Sequence, residues 1–174
     1  MSSILEKAKR IKLAIFDVDG VLTDGGIYIG DDGKETKIFN SRDGHGMKML
    51  QASGVNIAII TGRVSKVVEH RMAELGIKHV YQGRPNKLPV LNELLSLLSV
   101  AADETAYVGD DVVDLPVLIR VGLAICVHDA HPLVKHHAHW ITVNPGGRGA
   151  AREVCEMIMK AQDVLDASLK EYLA

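Results

Sequence analysis

The chain has only two cysteines in 174 residues, little excess of charge of either sign, and no apolar run long enough to span a bilayer. Each scarcity removes a class of function. Cys126 and Cys155 fall in a strand-like and a helix-like segment, without a close pair and without metal-type spacing. That excludes a disulfide framework and a zinc site and reads them as buried free thiols. Twenty Lys and Arg against 22 Asp and Glu give a net charge of -2 and no basic stripe, so nucleic acid is not an expected partner. Nor is a membrane, because a spanning helix needs about 20 apolar residues in succession. The first ten residues are charged and helix-prone rather than basic and then apolar, unlike a secretory signal, so the cytoplasm is the expected compartment. Internal repeats and low-complexity segments are absent as well. With 47% apolar residues, one domain over 1–174 with a proper core is expected.

What is present is a regular alternation. An apolar run at 11–16 stops at Asp17-Val18-Asp19-Gly20 and reads as a buried strand that delivers two carboxylates at its carboxyl end. A turn-rich tetrad, Gly30-Asp31-Asp32-Gly33, between β-prone runs predicts a hairpin over about 26–40, projecting from that strand. The spacing of a calcium loop is absent from it. Helices are then predicted over 44–53, 64–75, 87–98 and 113–119, and strands over 55–60, 78–81, 105–108, 123–127 and 140–143. A stripe of Val154, Ile158, Ala161, Leu165, Leu169 and Leu173 predicts one long helix over 151–173. Strands alternating with helices imply right-handed crossovers. The expected fold is therefore α/β and doubly wound: a mostly parallel, Rossmann-like sheet with helices on both faces.

Four signals recur at the carboxyl ends of successive strands, where open parallel sheets bind ligands. They are Asp17 with Asp19, then Thr61, then Lys87 at a helix start, then Gly109-Asp110-Asp111 with Asp114. A phosphate monoester needs a carboxylate nucleophile, a proton donor, hydroxyl and ammonium groups for its oxygens, and acids to hold a divalent cation. Any one of these signals is commonplace in turns, but four in this order are not. Two carboxylates and a phosphate dianion cannot share a pocket uncompensated, so a lysine and a divalent ion are required. Hard oxygen ligands favour magnesium.

These four motifs resemble those of the haloacid dehalogenase superfamily, over about residues 11–144. The resemblance implies that Asp17 is the nucleophile and forms an aspartyl-phosphate, while Asp19 protonates the leaving oxygen and later activates water. It implies that Mg2+ lies between Asp17, the main-chain carbonyl of Asp19 and Asp110. Thr61 and Lys87 would hold the phosphoryl group, and Asp111 and Asp114 would orient water on the metal or anchor Lys87. Only about 20 residues separate Thr23 from the next predicted helix, and Arg63 leads straight into the one after, so no cap domain is expected. A capless site needs walls from elsewhere, and the hairpin is read both as a flap and as an oligomer surface.

A narrower resemblance lies in Asn40-Ser41-Arg42-Asp43-Gly44-His45-Gly46, Thr61-Gly62-Arg63, Tyr81-Gln82-Gly83, Asn86-Lys87-Leu88 and 146–153. This set is similar to the 3-deoxy-D-manno-octulosonate 8-phosphate phosphatases, capless tetramers of lipopolysaccharide precursor synthesis. It implies that Asn40, Ser41, Arg42, Asp43, Gly44, Lys48, Arg63, Arg71 and Lys87 line the substrate pocket, in part across subunits of a homotetramer. A guanidinium fork suits the carboxylate of such a sugar acid. Lys48 stands where arginine is expected, Ser41 where an apolar residue is common, and Arg84-Pro85 where a smaller polar pair is. A nonulosonate 9-phosphate phosphatase is the nearest alternative, and a less specific sugar phosphatase the next.

A receiver domain would place its phosphoacceptor mid-chain and its lysine last, the reverse of the order here. A mutase would have to exclude water, which an uncapped site does not do. A scaffold that has lost activity would not keep four motifs intact. His128, His131, His136, His137 and His139 are dense but lack thiol or carboxylate partners, and read as structural. The glycines at 146–149 suit either a phosphate cradle at a helix start or a hinge that sends the last helix onto a neighbour. Arg152 on that helix is either an ion-pair residue or a group delivered to an adjacent site.

Overall fold

Leu13, Ala14, Ile15 and Phe16 put apolar side chains on both sides of the chain, which suits a strand covered on both faces in the middle of a sheet. In the computed structural model, which describes residues 2–173, they form the wholly buried strand β1 (Leu13–Phe16). The remaining strands are β2 (Tyr28–Ile29), β3 (Glu35–Thr36), β4 (Asn56–Ile60), β5 (His79–Tyr81), β6 (Thr105–Gly109), β7 (Leu123–Cys126) and β8 (Trp140–Ile141). Six of them make a parallel sheet in the order β5-β4-β1-β6-β7-β8. The chain builds outward from β1 through β4 to β5, then returns past β1 to lay β6, β7 and β8 on the other side. That reversal between β1 and β6 opens a crevice at their carboxyl ends.

The helices are α1 (Ser2–Lys9), α2 (Ser41–Ala52), α3 (Lys66–Glu74), α4 (Leu88–Leu98), α5 (Leu115–Leu118), α6 (Pro132–His137), α7 (Ala150–Ala161) and α8 (Leu165–Lys170). Right-handed crossovers put α2 and α3 on one face and α4, α5 and α6 on the other. The packing agrees: α7 lies on α2 and α1, while α5 lies on α4 and α6. The doubly wound α/β expectation therefore holds, and no cap domain interrupts the described residues.

Three expected elements depart from the structure by more than two residues. Helix α2 starts at Ser41 rather than 44, because the Asn40 side-chain oxygen accepts the Arg42 N–H at 2.9 Å and caps it. The hairpin pairs only Tyr28 with Thr36 and Ile29 with Glu35, since beyond Thr36 the Lys37 side chain turns inward. The long terminal helix is broken. It ends at Ala161, with Asp163 left-handed at φ 59° and the Val164 N–H returning to the Met159 carbonyl at 3.0 Å. Gln162 fixes this break by donating to the Ile11 carbonyl at 2.8 Å, beyond the end of α1. A single-turn 3₁₀ segment, Glu171–Leu173, follows α8, so the apolar stripe continues while the helix does not.

The glycine turn before α7 is neither an anion cradle nor a hinge. Its amides are already taken: Gly146 donates to Asp129 at 3.0 Å, Gly147 to the Val21 carbonyl at 2.9 Å and Gly149 to Asp43 at 3.2 Å. A Cβ on Gly146 would run into the Gly20 carbonyl, and one on Gly147 into the Thr23 backbone. Glycine is required because the two loops touch backbone to backbone. Arg152 pairs with Glu156 at 2.6 Å within the same helix.

Candidate active site

The carboxyl ends of β1, β4 and β6 bring the expected groups to one cleft of about 340 Å³. Asp17 leaves β1 with its N–H on the Val108 carbonyl of β6 at 3.0 Å, so the sheet itself fixes its backbone. Thr61 leaves β4 in the same way, its N–H on the Tyr81 carbonyl of β5 at 2.9 Å. Lys87 occupies the position before α4, and Asp110 and Asp111 follow β6. Asp17, Asp19, Thr61, Arg63, Lys87, Asp110 and Asp111 all line the cleft.

Lys87 is the organising charge. An ammonium has three donors, and this one, only 2% exposed, has three partners: Asp17 Oδ1 at 2.9 Å, Asp114 Oδ1 at 2.7 Å and the Tyr107 hydroxyl at 3.2 Å. Asp114 is fully buried and saturated. Its Oδ1 also accepts the Tyr107 hydroxyl proton at 2.5 Å, and its Oδ2 accepts the Asp110 and Asp111 N–H groups at 2.9 and 3.2 Å. Asp114 thus ties Lys87 to the loop after β6. Burial opposes the Lys87 charge, but Asp17 and Asp114 more than offset it and push its pKa up. Asp17 is pushed up to about 6, because burial together with Asp114 outweighs the attraction of Lys87. Asp110, beside the same acids and farther from the lysine's help, is pushed up to about 8, by burial first and then by Asp114, Asp17 and Asp111.

This excess of negative charge has the form of a cation site. Carboxylate oxygens of Asp17, Asp110 and Asp114 lie within 4.8 Å of one another. Asp114 is already committed to hydrogen bonds, whereas Asp110 Oδ1 is buried with no hydrogen-bond partner. An orphaned buried oxygen beside two further acids suits a hard divalent ion, and among the described residues no thiol or imidazole joins the group. Gly20 makes room for it: at φ +87° it packs so closely that any Cβ would strike the Asp110 carboxylate. The histidines gather no such group among the described residues. His131 accepts the Leu133 N–H at the start of α6, and His139 accepts the Ala124 N–H on β7.

The outer wall holds residues that the sequence reading missed. Lys37, with a side chain 1% exposed, pairs with Asp19 and lies 3.2 Å from Glu35. Glu35 in turn binds Arg63 at 2.7 Å, and Arg63 stands 3.9 Å from Asp19. Partial burial works against the Glu35 charge, yet the Ser65 hydroxyl and then the Arg63 and Lys37 cations hold its pKa down at about 2. Alternation was the available signal, since Glu35 and Lys37 are two residues apart and share one side of an extended chain. Tyr107 was hidden for another reason: in an apolar strand it reads as core, and only its hydroxyl enters the site.

The other expected pocket residues do not face this cleft within one chain. Asn40 caps α2, with Ser41 and Arg42 exposed beside it. Asp43 is buried and accepts the Gly149 and Arg152 N–H groups at the start of α7. Gly44 packs against Arg71, which pairs with Glu74 at 2.8 Å and lies over the Phe39 ring. Lys48 lines a separate hollow with His45 and Tyr172, formed where the end of the chain covers α2. Asp111 turns its carboxylate to the Val112 N–H at 2.7 Å and stays at the rim.

A doubly wound sheet with acids after its first strand, a lysine before α4 and a cation-ready cluster after β6 defines a haloacid dehalogenase-like hydrolase. A profile of the haloacid dehalogenase-like hydrolases matches residues 79–153. The 3-deoxy-D-manno-octulosonate 8-phosphate phosphatase of Escherichia coli K12 is 51% identical, over 95% of this chain and 88% of its own. A probable YrbI-family phosphatase from Pseudomonas syringae superposes with a TM-score of 0.98 at 52% identity, covering 100% of this chain and 99% of that one. The Moraxella catarrhalis 3-deoxy-D-manno-octulosonate 8-phosphate phosphatase, solved with magnesium, phosphate and the sugar acid, superposes at 0.97 with 44% identity, covering 99% of each chain. The chain belongs to the family of the 3-deoxy-D-manno-octulosonate 8-phosphate phosphatases.

Proposed function

We propose that this protein, acting as one domain, hydrolyses 3-deoxy-D-manno-octulosonate 8-phosphate to the sugar acid and phosphate, a step of lipopolysaccharide precursor synthesis. The observation that carries the reading is Asp17, held at the cleft floor by Lys87 and facing the orphaned oxygen of Asp110. Lys87 grips Asp17 Oδ1 and so fixes the rotation of the carboxylate. An Asp17 oxygen attacks phosphorus, the bond from phosphorus to the sugar oxygen breaks, and Asp19 gives that oxygen its proton. Water then attacks the aspartyl-phosphate, Asp19 takes the water's proton, and the bond from Asp17 to phosphorus breaks to release phosphate. Thr61 holds a phosphoryl oxygen through both steps, and Lys87, its donors on Asp17, Asp114 and Tyr107, adds its positive charge beside the phosphoryl group. Asp17, Asp110 and the Asp19 carbonyl would hold magnesium, which neutralises the clustered acids and the phosphoryl charge.

The test is phosphate release with magnesium on the octulosonate 8-phosphate, a nonulosonate 9-phosphate and hexose phosphates. We expect kcat/KM to favour the octulosonate by roughly a hundredfold or more, with the activity lost in Asp17→Asn. Equal slow turnover of all three esters would sink the substrate assignment and leave the chemistry. Activity surviving in Asp17→Asn would sink the nucleophile.

Assembly as a homotetramer is the companion reading. Ile27, Tyr28, Ile29 and Ile38 expose an apolar patch on a hairpin of two residue pairs, which by itself is marginal in water. Ser41 and Arg42, exposed and away from the chain's own cleft, are then free to serve a neighbour's. Light scattering should give a tetramer for the native chain and smaller species for Ile29→Asp. A monomeric native chain would overturn this.

A further inference from the structure

Asp19, Lys37, Glu35 and Arg63 close a ring of alternating charge at the mouth of the cleft. Asp19 and Arg63 come from the loops after β1 and β4, and Glu35 and Lys37 from the hairpin and the residue just beyond its strand. We propose that Glu35 is a specificity-determining residue: its carboxylate occupies the Arg63 guanidinium in the free protein, and a substrate binds by putting its own carboxylate in that place. The inference deepens the octulosonate reading and rests on it for the identity of the incoming acid.

Three features carry it. The Arg63 guanidinium offers a fork suited to one carboxylate; Glu35 Oε1 takes its Nη2 at 2.7 Å, while Asp19 stands 3.9 Å from its Nε. The Arg63 side chain is 45% exposed at the cleft rim, so an arriving anion can reach it. Glu35 also has somewhere to go. When it leaves Arg63 it keeps Lys37, 3.2 Å away, so the exchange strands no buried charge. Release of Glu35 disturbs a ladder of only two residue pairs. A phosphate ester without a carboxylate leaves the Glu35 to Arg63 pair intact and gains nothing from it. An ester with one trades a pair for a pair, and on departure of the sugar acid Glu35 takes Arg63 back.

The test is steady-state kinetics of Glu35→Gln with the octulosonate 8-phosphate and with a neutral hexose 6-phosphate. With Arg63 freed, KM for the acid ester should fall roughly three- to tenfold, and inhibition by the free sugar acid should tighten in proportion. KM for the hexose phosphate and inhibition by inorganic phosphate should not move. Glu35→Asp, which keeps the charge and the hairpin but reaches less far, should fall between the two and supplies the test if the glutamine variant folds poorly. Equal shifts for both esters, or a rise in KM for the acid ester, would overturn the proposal. Should the native protein not prefer the octulosonate ester, the substrate reading fails by itself. Calorimetric titration with the free sugar acid then decides the role of Glu35, which requires tighter binding in Glu35→Gln and is refuted by equal or weaker binding.

Discussion

Asp17, Asp110 and Asp114 crowd around a single ammonium, and that imbalance decides what individual substitutions do. Asp110 carries its consequence most plainly. Its pKa rises from 3.8 to about 8 because burial and the neighbouring acids disfavour its charge. Between those values the cation-free native protein holds a proton there that the unfolded chain has released, so this group's contribution to stability is present below about pH 4 and is lost as pH rises towards 8. Asp110→Asn removes the conflict. At pH 7 in the presence of a chelator the variant should be more stable to urea by about 1–2 kcal/mol, while phosphate release is abolished. A variant no more stable than the native chain would show that Asp110 is not under electrostatic stress. The sequence displayed the acids and Lys87 because their spacing from strand ends is local. Tyr107 was not visible, and the alternation of Glu35 with Lys37 named no partner, since these roles depend on which strand faces which loop.

At the scale of elements, Asp43 shows how a residue expected at the substrate can serve the frame. It sits in the first turn of α2, yet it accepts the Gly149 and Arg152 N–H groups at the start of α7, so one helix caps another. Asp43→Ala should cost about 1–2 kcal/mol in urea unfolding. A change in KM without that loss of stability would return Asp43 to the substrate. The parallel sheet and its two helical layers follow from alternation and crossover handedness, which apolar periodicity records well. The end of α7 does not. Its stripe runs on through Leu165 and Leu169, and what stops the helix is Gln162 bonded to a carbonyl near the N-terminus, a contact that no local pattern encodes. The hairpin likewise was visible as a turn between β-prone runs, while its shortness comes from a buried lysine.

Over the whole molecule, the loop bearing Asp19 rests on the glycine turn before α7. Gly146→Ala drives a methyl into the Gly20 carbonyl, so stability should fall by about 1–3 kcal/mol. The activity should fall with it, even at temperatures where the fold is intact, because Gly20 also packs on Asp110. Calorimetry and phosphate release on the same sample would check both, and unchanged kcat in a destabilised variant would separate the prop from the site.

That contact spans most of the chain. The acids after β1 leave a ribosome well before the turn that supports them. A nascent chain halted before residue 146 carries Asp17 and Asp19 without the turn that props their loop, so a truncation series should gain activity abruptly, only once synthesis has passed the glycines.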